Sequence, residues 1–231
     1  MTTDLSVSTT IPAAGSNPAV LRLGVVVGTT RPGRKAAAVA QWAREVAAAN
    51  VDVQAGRVEL QLLDLAAAGL PLLDEPVAAA FGHYQHVHTI AWADTVAECD
   101  GFVFVTPEYN HSIPAALKNA IDYLFGEWHH KPAGILSYGL AGGVRAAEHL
   151  KTVLLEVKTV PVSAQVALSV FDDFTYTDDT DPASPFEVAA REHQAAGLLE
   201  MLEEILAYSR ALASLRTVDP DSSTAELAEA W

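Results

Sequence analysis

Two hydrophobic patterns alternate along the chain and predict its secondary structure. Short apolar runs, such as Leu21 to Gly28 and Gly101 to Thr106, are rich in Val and Phe and are typical of buried parallel strands. Between these runs, apolar residues recur at the spacing of one helix face, for example at Leu117, Ile121 and Leu124. The predicted strands are 21–28, 57–63, 101–106, 133–137 and 160–168, and the predicted helices are 35–49, 84–98, 114–125, 144–157 and 185–215.

The alternation of strands and helices predicts one doubly wound α/β domain. Strands joined by helices form right-handed βαβ units, which place helices on both faces of a parallel sheet. We expect this domain to span residues 20–215, between a loose Ser-, Thr- and Pro-rich arm over 1–19 and an acidic tail over 216–231. Residues 171–185 contain five Asp and two Pro and predict an exposed loop.

Composition and charge exclude several classes of protein. Half of the 231 residues are hydrophobic, enough for a sizeable core, and the single cysteine, Cys99, excludes a disulfide framework and a Cys-ligated zinc or iron–sulfur centre. The net charge of −15 comes mostly from residues 171–231, which hold 14 of the 29 acidic residues but only three of the 14 basic ones. Without a basic stripe, we expect no nucleic-acid partner. Because no apolar run approaches a membrane span and the first residues lack the pattern of a secretory signal, we expect a cytoplasmic protein with no membrane partner.

Ligands of doubly wound sheets bind beyond the carboxyl ends of the strands, so the loops there carry the candidate chemistry. The first reads Gly28-Thr-Thr-Arg-Pro-Gly-Arg-Lys35. It fails the Gly-x-Gly-x-x-Gly fingerprint, and Arg34 and Lys35 break the pattern of a triphosphate loop. Its hydroxyls, cations and helix-start N–H groups suit a monophosphate dianion without a metal, since cations at a helix start oppose the macrodipole unless an anion is bound. The alternative is an ordinary turn with solvated cations.

Two further loops supply polar and flexible groups. Thr106-Pro-Glu-Tyr-Asn-His-Ser-Ile-Pro114 predicts a stiff polar ledge that supports a flat heterocycle by stacking, with backbone N–H groups at its edge. The alternative is a plain polar connection between strand and helix. Ser137-Tyr-Gly-Leu-Ala-Gly-Gly-Val-Arg145 has three glycines that allow the backbone to approach a ligand closely.

Together the three loops resemble the NADPH-dependent FMN reductase family of flavodoxin-like proteins, which includes quinone, chromate and azo-dye reductases. The resemblance covers about residues 20–170 and implies a flavodoxin-like, five-stranded parallel sheet of order 2-1-3-4-5. The motifs that carry it are Gly28-Thr-Thr-Arg-Pro-Gly-Arg34, Pro107-Glu-Tyr-Asn-x-Ser-x-Pro-x-x-Leu-Lys-Asn-Ala-Ile-Asp122 and Ser137-Tyr-Gly-x-x-Gly-Gly-x-Arg-Ala146.

The resemblance also implies a cofactor site. Thr29, Arg31 and Arg34 would hold the FMN phosphate, with Thr30 contributing through its hydroxyl or backbone. Arg34 stands where some relatives have Ser, so this contact departs from the family pattern. The residues that would line the isoalloxazine ring are Pro107, Glu108, Tyr109 and Asn110. Those that would meet its pyrimidine end and edge are Ser137, Tyr138, Gly139, Gly142 and Gly143.

The implied activity is that of an FMN-dependent oxidoreductase. It would take a hydride from NAD(P)H onto flavin N5 and pass electrons to a small acceptor: a quinone, an azo compound, a metal oxyanion or free flavin. The cofactor carries the redox step, so we expect no catalytic side chain. The alternatives are a flavodoxin-type electron carrier and a flavin reductase that supplies a separate monooxygenase. A homodimer or homotetramer is also implied.

Neither a metal site nor a nucleophilic serine is expected in this sequence. His83, His86 and His88 predict no metal site, because His86 and His88 do not share a helix face and no nearby Cys or acidic residue completes a set of ligands. Ser137 is not expected to be a nucleophile, because Ile135 occupies a position where the Gly-x-Ser-x-Gly motif needs glycine.

Overall fold

Five strands form one parallel sheet in the computed structural model, which describes residues 20–178, 180–181 and 183–216. The strands are β1 (Leu21–Val27), β2 (Val58–Asp64), β3 (Gly101–Pro107), β4 (Pro132–Gly139) and β5 (Val160–Ser169). Their order is β2-β1-β3-β4-β5, which confirms the predicted order 2-1-3-4-5. The predicted arm over 1–19 and, apart from Arg216, the predicted tail over 216–231 lie outside the described residues.

Burial along the strands follows their place in the sheet. Every residue of the central strand β3 is buried. The edge strand β2 mixes buried Val58 and Leu63 with exposed Glu59 and Leu62, as a strand with one neighbour does. The chain runs outward from β1 to β2 and then crosses back to β3, so the loops after β1 and β3 lead to opposite faces. A crevice opens between them at the carboxyl edge of the sheet.

Helices cover both faces of the sheet, as predicted. They are α1 (Ala36–Ala47), α2 (Val51–Gln54), α3 (Leu65–Ala68), α4 (Val87–Ala97), α5 (Ala115–Asp122), α6 (Val144–Glu156), α7 (Glu192–Ala211) and α8 (Ala213–Arg216), with 3-10 turns at Ala79–Phe81 and Gly126–Trp128. Helices α1 and α7 pack on one face through residues such as Val39 and Met201. Helices α4, α5 and α6 pack on the other through Trp92, Leu117 and Leu150. Within the described residues, the structure contains no helix with the length and hydropathy of a membrane span.

Two expectations for the C-terminal part of the chain are wrong. The predicted loop over 171–185 contains β6 (Phe174–Tyr176), which pairs antiparallel with β7 (Phe186–Val188) inside the predicted helix over 185–215. The helix itself begins only at Glu192. The Asp and Pro content of this segment favours an exposed loop, but its aromatic side chains pack against the cluster of apolar residues on the α1 and α7 face. Burial of these rings outweighs the turn propensity.

Two short helices were absent from the prediction. Helices α2 and α3 each have four residues, too few to show a hydrophobic period. Each begins at a polar side chain that accepts backbone hydrogen bonds, Asn50 for α2 and Asp64 for α3.

Candidate functional site

The loops that follow β1, β3 and β4 meet at the carboxyl edge of the sheet and surround a cavity of about 240 Å³. Most of the residues predicted for the cofactor line it, namely Arg31, Arg34, Pro107, Glu108, Tyr109, Tyr138 and Gly139. The other predicted residues lie in the same loops outside this lining: Thr29, Thr30, Asn110, Ser137, Gly142 and Gly143. The remaining lining residues are Gly33, Lys35, Leu140 and Val170, of which sequence analysis had noted only Lys35, as a cation of the first loop.

The first loop leaves β1 in close contact with β3. The N–H of Gly28 donates to the carbonyl of Val105 at 2.9 Å, and a Cβ on Gly28 would lie only 2.9 Å from that oxygen. The next residue, Thr29, is buried, and its hydroxyl oxygen lies 3.0 Å from the hydroxyl of Tyr109. Thr29 also accepts a hydrogen bond of 3.4 Å from the Arg31 N–H. Gly28 therefore connects the first loop to β3, and the Thr29 hydroxyl connects it to the second loop.

The start of α1 offers backbone donors and positive charge. The N-cap residue of this helix, Lys35, makes no side-chain capping hydrogen bond, and the first turn contains no acidic residue. The first N–H groups of a helix lack intrahelical partners, and they carry the positive end of the macrodipole. Arg31, Arg34 and Lys35 precede them and line the cavity. This arrangement fits an anion such as a phosphate monoester.

Arg34 is already part of an ion pair. Its Nη2 donates to Oδ2 of Asp64 at 2.5 Å, while the other oxygen of this carboxylate accepts from the Ala66 N–H and caps α3. The Nε of Arg34 is buried and has no hydrogen-bond partner among the described residues. Arg34 thus has further N–H groups outside this ion pair, but its charge is partly compensated. Sequence analysis did not pair it with Asp64, which lies on the neighbouring strand.

A tight turn shapes the second loop. Tyr109 and Ser112 exchange backbone hydrogen bonds of 2.9 and 3.0 Å around Asn110 and His111, both of which have a left-handed backbone. Asn110 is exposed at the tip of this turn. The turn holds the Tyr109 ring at the cavity, and the Ser112 hydroxyl lies 2.5 Å from Nδ1 of His149 on α6. The N–H of Tyr109 is used inside the loop and is not available to a heterocycle.

The Glu108 side chain connects the second loop to the third. One carboxylate oxygen accepts from the N–H groups of Arg145 and Ala146 at 3.1 and 3.4 Å, and the other accepts from the Arg145 guanidinium at 2.9 Å. Burial alone would raise the pKa of Glu108, but these hydrogen bonds and the charge of Arg145 lower it. Glu108 therefore caps α6 as a carboxylate. Its own N–H donates to the Tyr138 carbonyl at 3.0 Å, so this group too is used within the protein.

The third loop owes its shape to glycines and a buried serine. The Ser137 hydroxyl donates to the Gly142 carbonyl at 2.7 Å and is fully buried, as is consistent with the rejection of a nucleophilic role. Gly142 and Gly143 both have φ of 72°. A Cβ on Gly143 would lie 2.8 Å from the backbone N and O of Tyr138, which excludes any other residue there without a backbone shift.

Tyr138 forms a wall between the third loop and the start of α1. Its side chain is almost fully buried. Burial and the neighbouring Tyr109 raise the pKa of Tyr138, and they outweigh the hydrogen bond from the Ala36 N–H and the positive charges of Arg31 and Arg34. The phenol is therefore neutral near pH 7 and acts as a hydrogen-bonding group.

The histidines lie away from this cavity, close to an acidic residue. The rings of His86 and His88 stack with centroids 5.2 Å apart, and Nε2 of His88 lies 2.9 Å from Oδ1 of Asp74. The Tyr123 hydroxyl donates to the same oxygen at 2.9 Å. Asp74 lies in the loop after α3, which folds back over the start of α4. The described residues contain no group of His, Cys, Asp and Glu suited to a metal ion.

The fold and the site define a flavodoxin-like α/β protein with a candidate anion site at the start of α1. A family model for NADPH-dependent FMN reductases matches residues 21–173. An NAD(P)H-dependent FMN reductase of Schizosaccharomyces pombe is 37% identical over 164 residues, 70% of this chain and 80% of the relative. The chain belongs to the NADPH-dependent FMN reductase family.

Two other similarities agree with this assignment. A quinone reductase of Escherichia coli is 33% identical over 141 residues, 58% of this chain and 70% of the relative. The solved structure of FerB, a flavoenzyme NAD(P)H:(acceptor) oxidoreductase from Paracoccus denitrificans, matches with a TM-score of 0.60 and 25% identity over 83% of this chain and 98% of that one. The predicted family, the oxidoreductase class and the cofactors FMN and NAD(P)H are confirmed. The roles of the individual site residues stay predictions.

Proposed function

We propose that this chain binds FMN at the carboxyl edge of the sheet and uses it to pass electrons from NAD(P)H to a small acceptor. The observation that carries the proposal is the cationic start of α1, which has no acidic residue in its first turn, beside a cavity built by three loops. A site with these features suits a ligand that joins a phosphate to a flat polar ring. The quinone reductase among the relatives favours a quinone as the acceptor.

In this proposal, the residues of the chain bind FMN and orient it. Thr29, Thr30, Arg31, Arg34 and the N–H groups of α1 would hold the phosphate. Pro107, Glu108, Tyr109 and Asn110 would lie along the ring, and Ser137, Tyr138, Gly139, Gly142 and Gly143 would shape the pocket at its pyrimidine end. The chemistry that FMN supplies when bound is hydride acceptance at N5 and electron transfer to the second substrate.

No acid or base of the chain is required for the redox step. Among the described residues that line the cavity, Glu108 is committed to the start of α6 and Tyr138 is neutral near pH 7. The cations at the start of α1 are suited to hold an anion rather than to move a proton. The side chains thus contribute binding, orientation and electrostatics.

Anaerobic mixing with NADPH and NADH tests the proposal. We expect rapid bleaching of the bound flavin by a nicotinamide cofactor, followed by reoxidation when a quinone is added. Slow bleaching with fast electron exchange between protein partners would instead indicate a flavodoxin-type electron carrier. Loss of FMN during gel filtration, with turnover of added free FMN, would indicate a flavin reductase that supplies a separate monooxygenase.

Two further properties are proposed on the family resemblance. We infer a homodimer or homotetramer, which light scattering on the purified protein measures directly. We also infer a cytoplasmic location, which fractionation of cells that express the full chain would test.

A further inference from the structure

The β6–β7 hairpin surrounds the Lys35 side chain with aromatic rings. Nζ of Lys35 lies 3.8 Å from the ring centroid of Phe186, 4.5 Å from that of Tyr176 and 5.9 Å from that of Phe174. A cation within about 6 Å of a ring centroid is attracted by the negative face of the ring. We call these three rings the aromatic cage. All three rings lie beyond residue 173, where the match to the family model ends.

The cage is firmly attached to the rest of the domain. The ring of Phe174 is buried, with its centroid 6.2 Å from that of Tyr138 at the cavity wall. Just before it, the buried carboxylate of Asp173 accepts hydrogen bonds from the Ser169 N–H at 2.7 Å and from the side chains of Arg191 and Gln194 at 2.9 Å. The base of the hairpin is therefore tied to the end of β5 and the start of α7.

Lys35 stands at the edge of the phosphate cradle. It is the last residue before α1, and it lines the same cavity as Arg31. Burial lowers the pKa of Lys35, and the charge of Arg31 lowers it further. Arg31 and Lys35 repel each other because both carry a positive charge. The attraction of the aromatic cage for the ammonium offsets this repulsion, as a nearby anion would also do.

A bound phosphate monoester would carry more negative charge than Arg31 alone can balance. A phosphate monoester carries close to two negative charges at neutral pH. The charge of Arg34 is partly offset by Asp64, which leaves Arg31 as an exposed cation of this loop. Lys35 supplies the second charge from the other end of the loop.

We propose that Lys35, held by the aromatic cage, is a specificity-determining residue that favours flavin carrying a 5′-phosphate over flavin without one. This inference rests on the proposed function. The cage restrains the side chain of Lys35, a residue that lines the cavity, so less conformational freedom is lost when the phosphate binds. Riboflavin, which has no phosphate, gains nothing from this charge.

Paired titrations with FMN and riboflavin test the inference. We expect Lys35→Met to raise the Kd for FMN by about 5- to 30-fold and to change the Kd for riboflavin by less than about twofold. Lys158→Met is the matched control, because it removes the same charge from a lysine over another ring, Phe125, between α6 and β5. This control should leave both constants unchanged.

The cage is tested by a double-mutant cycle. Phe186→Leu keeps an apolar side chain but removes the ring closest to Nζ, and we expect the Kd for FMN to rise by about 2- to 5-fold. In the Lys35→Met background the same change should have no further effect on FMN binding, because the cage acts through the lysine. Thermal unfolding of each variant establishes that it folds.

Three results would overturn the inference. Equal losses of FMN and riboflavin affinity in Lys35→Met would indicate damage to the loop. An unchanged Kd for FMN, with a changed preference of the FMN-loaded protein for NADPH over NADH, would assign the charge to the nicotinamide cofactor. Additive effects of the two substitutions on the Kd for FMN would show that the cage does not act through Lys35. A wild-type protein that binds neither flavin would refute the proposed function itself, and this outcome is visible before any variant is made.

Discussion

Arg34 and Asp64 form an ion pair that connects the candidate phosphate loop to the end of β2. Nη2 of Arg34 lies 2.5 Å from Oδ2 of Asp64, and the two side chains are only 21% and 25% exposed. The same carboxylate caps α3. Arg31, by contrast, is exposed at the start of the loop. The two arginines of one motif therefore differ in the charge they offer to a ligand.

We expect Arg31→Ala to weaken FMN binding more than Arg34→Ala. Loss of a charge-assisted contact should raise the Kd by about 10- to 150-fold for Arg31→Ala. For Arg34→Ala we expect about 3- to 10-fold, because Asp64 already compensates this charge. Fluorescence titration measures both constants, and riboflavin affinity should change by less than about twofold in either variant.

Asp64→Asn is the control for the ion pair. Asn retains the side-chain cap of α3 but removes the negative charge beside Arg34. FMN binding should therefore tighten by about 2- to 5-fold. A larger loss of affinity for Arg34→Ala than for Arg31→Ala would contradict this account of the loop.

Replacement of Glu108 should destabilise the connection between the second and third loops. Glu108→Ala removes the acceptor for two N–H groups of α6, so we expect the free energy of unfolding to fall by about 1–2 kcal/mol. Arg145→Ala removes only the exposed partner and should cost about 0.5 kcal/mol or less. Denaturant unfolding of the two variants distinguishes a helix cap from a surface ion pair, which would give equal losses.

Gly143→Ala should be more destabilising than an alanine at another left-handed glycine. Gly56 has φ of 67° with open space around its Cβ position, whereas a Cβ on Gly143 would lie 2.8 Å from the backbone of Tyr138. We expect about 1 kcal/mol for Gly56→Ala and about 3 kcal/mol or more for Gly143→Ala. Urea unfolding measures the free energy of unfolding of both variants. Similar losses would show that the close approach to Tyr138 does not add to the destabilisation.

Stability should fall in mild acid because of His129. Burial, together with the charges of Lys158 and His130, lowers the pKa of His129 from 6.5 to about 4. Between these values the unfolded chain binds a proton that the folded protein does not bind, so the stability is highest above pH 6.5 and decreases toward pH 4. We expect a loss of about 1–2 kcal/mol over this range, since the ring is partly accessible to solvent.

His129→Gln should flatten this part of the pH profile. The variant removes the titrating ring, and the exposed His83→Gln serves as the control for a change at another histidine. Unfolding by urea at a series of pH values between 4 and 7 gives the two profiles. An unchanged slope in His129→Gln would assign the acid sensitivity to other groups.

From the sequence alone, we could predict the five strands of the parallel sheet, most of the long helices and the edge of the sheet where the candidate site lies. These features are encoded in short windows: the apolar run of β3 and the helical spacing of Leu117, Ile121 and Leu124 are local signals. The strand order came from the resemblance of three loop motifs to a family, and the structure confirms it. The β6–β7 hairpin was missed because its Asp and Pro residues produce the pattern of an exposed loop.

The partners of the charged residues at the site depend on the tertiary structure. Arg34 meets Asp64, and Lys35 meets Phe186, because the sheet order and the hairpin bring distant segments to one edge. Nothing near Arg34 or Lys35 in the sequence selects these partners. Local periodicity reflects interactions within one or two turns, whereas the electrostatics of a binding site depend on which loops the packed core holds side by side.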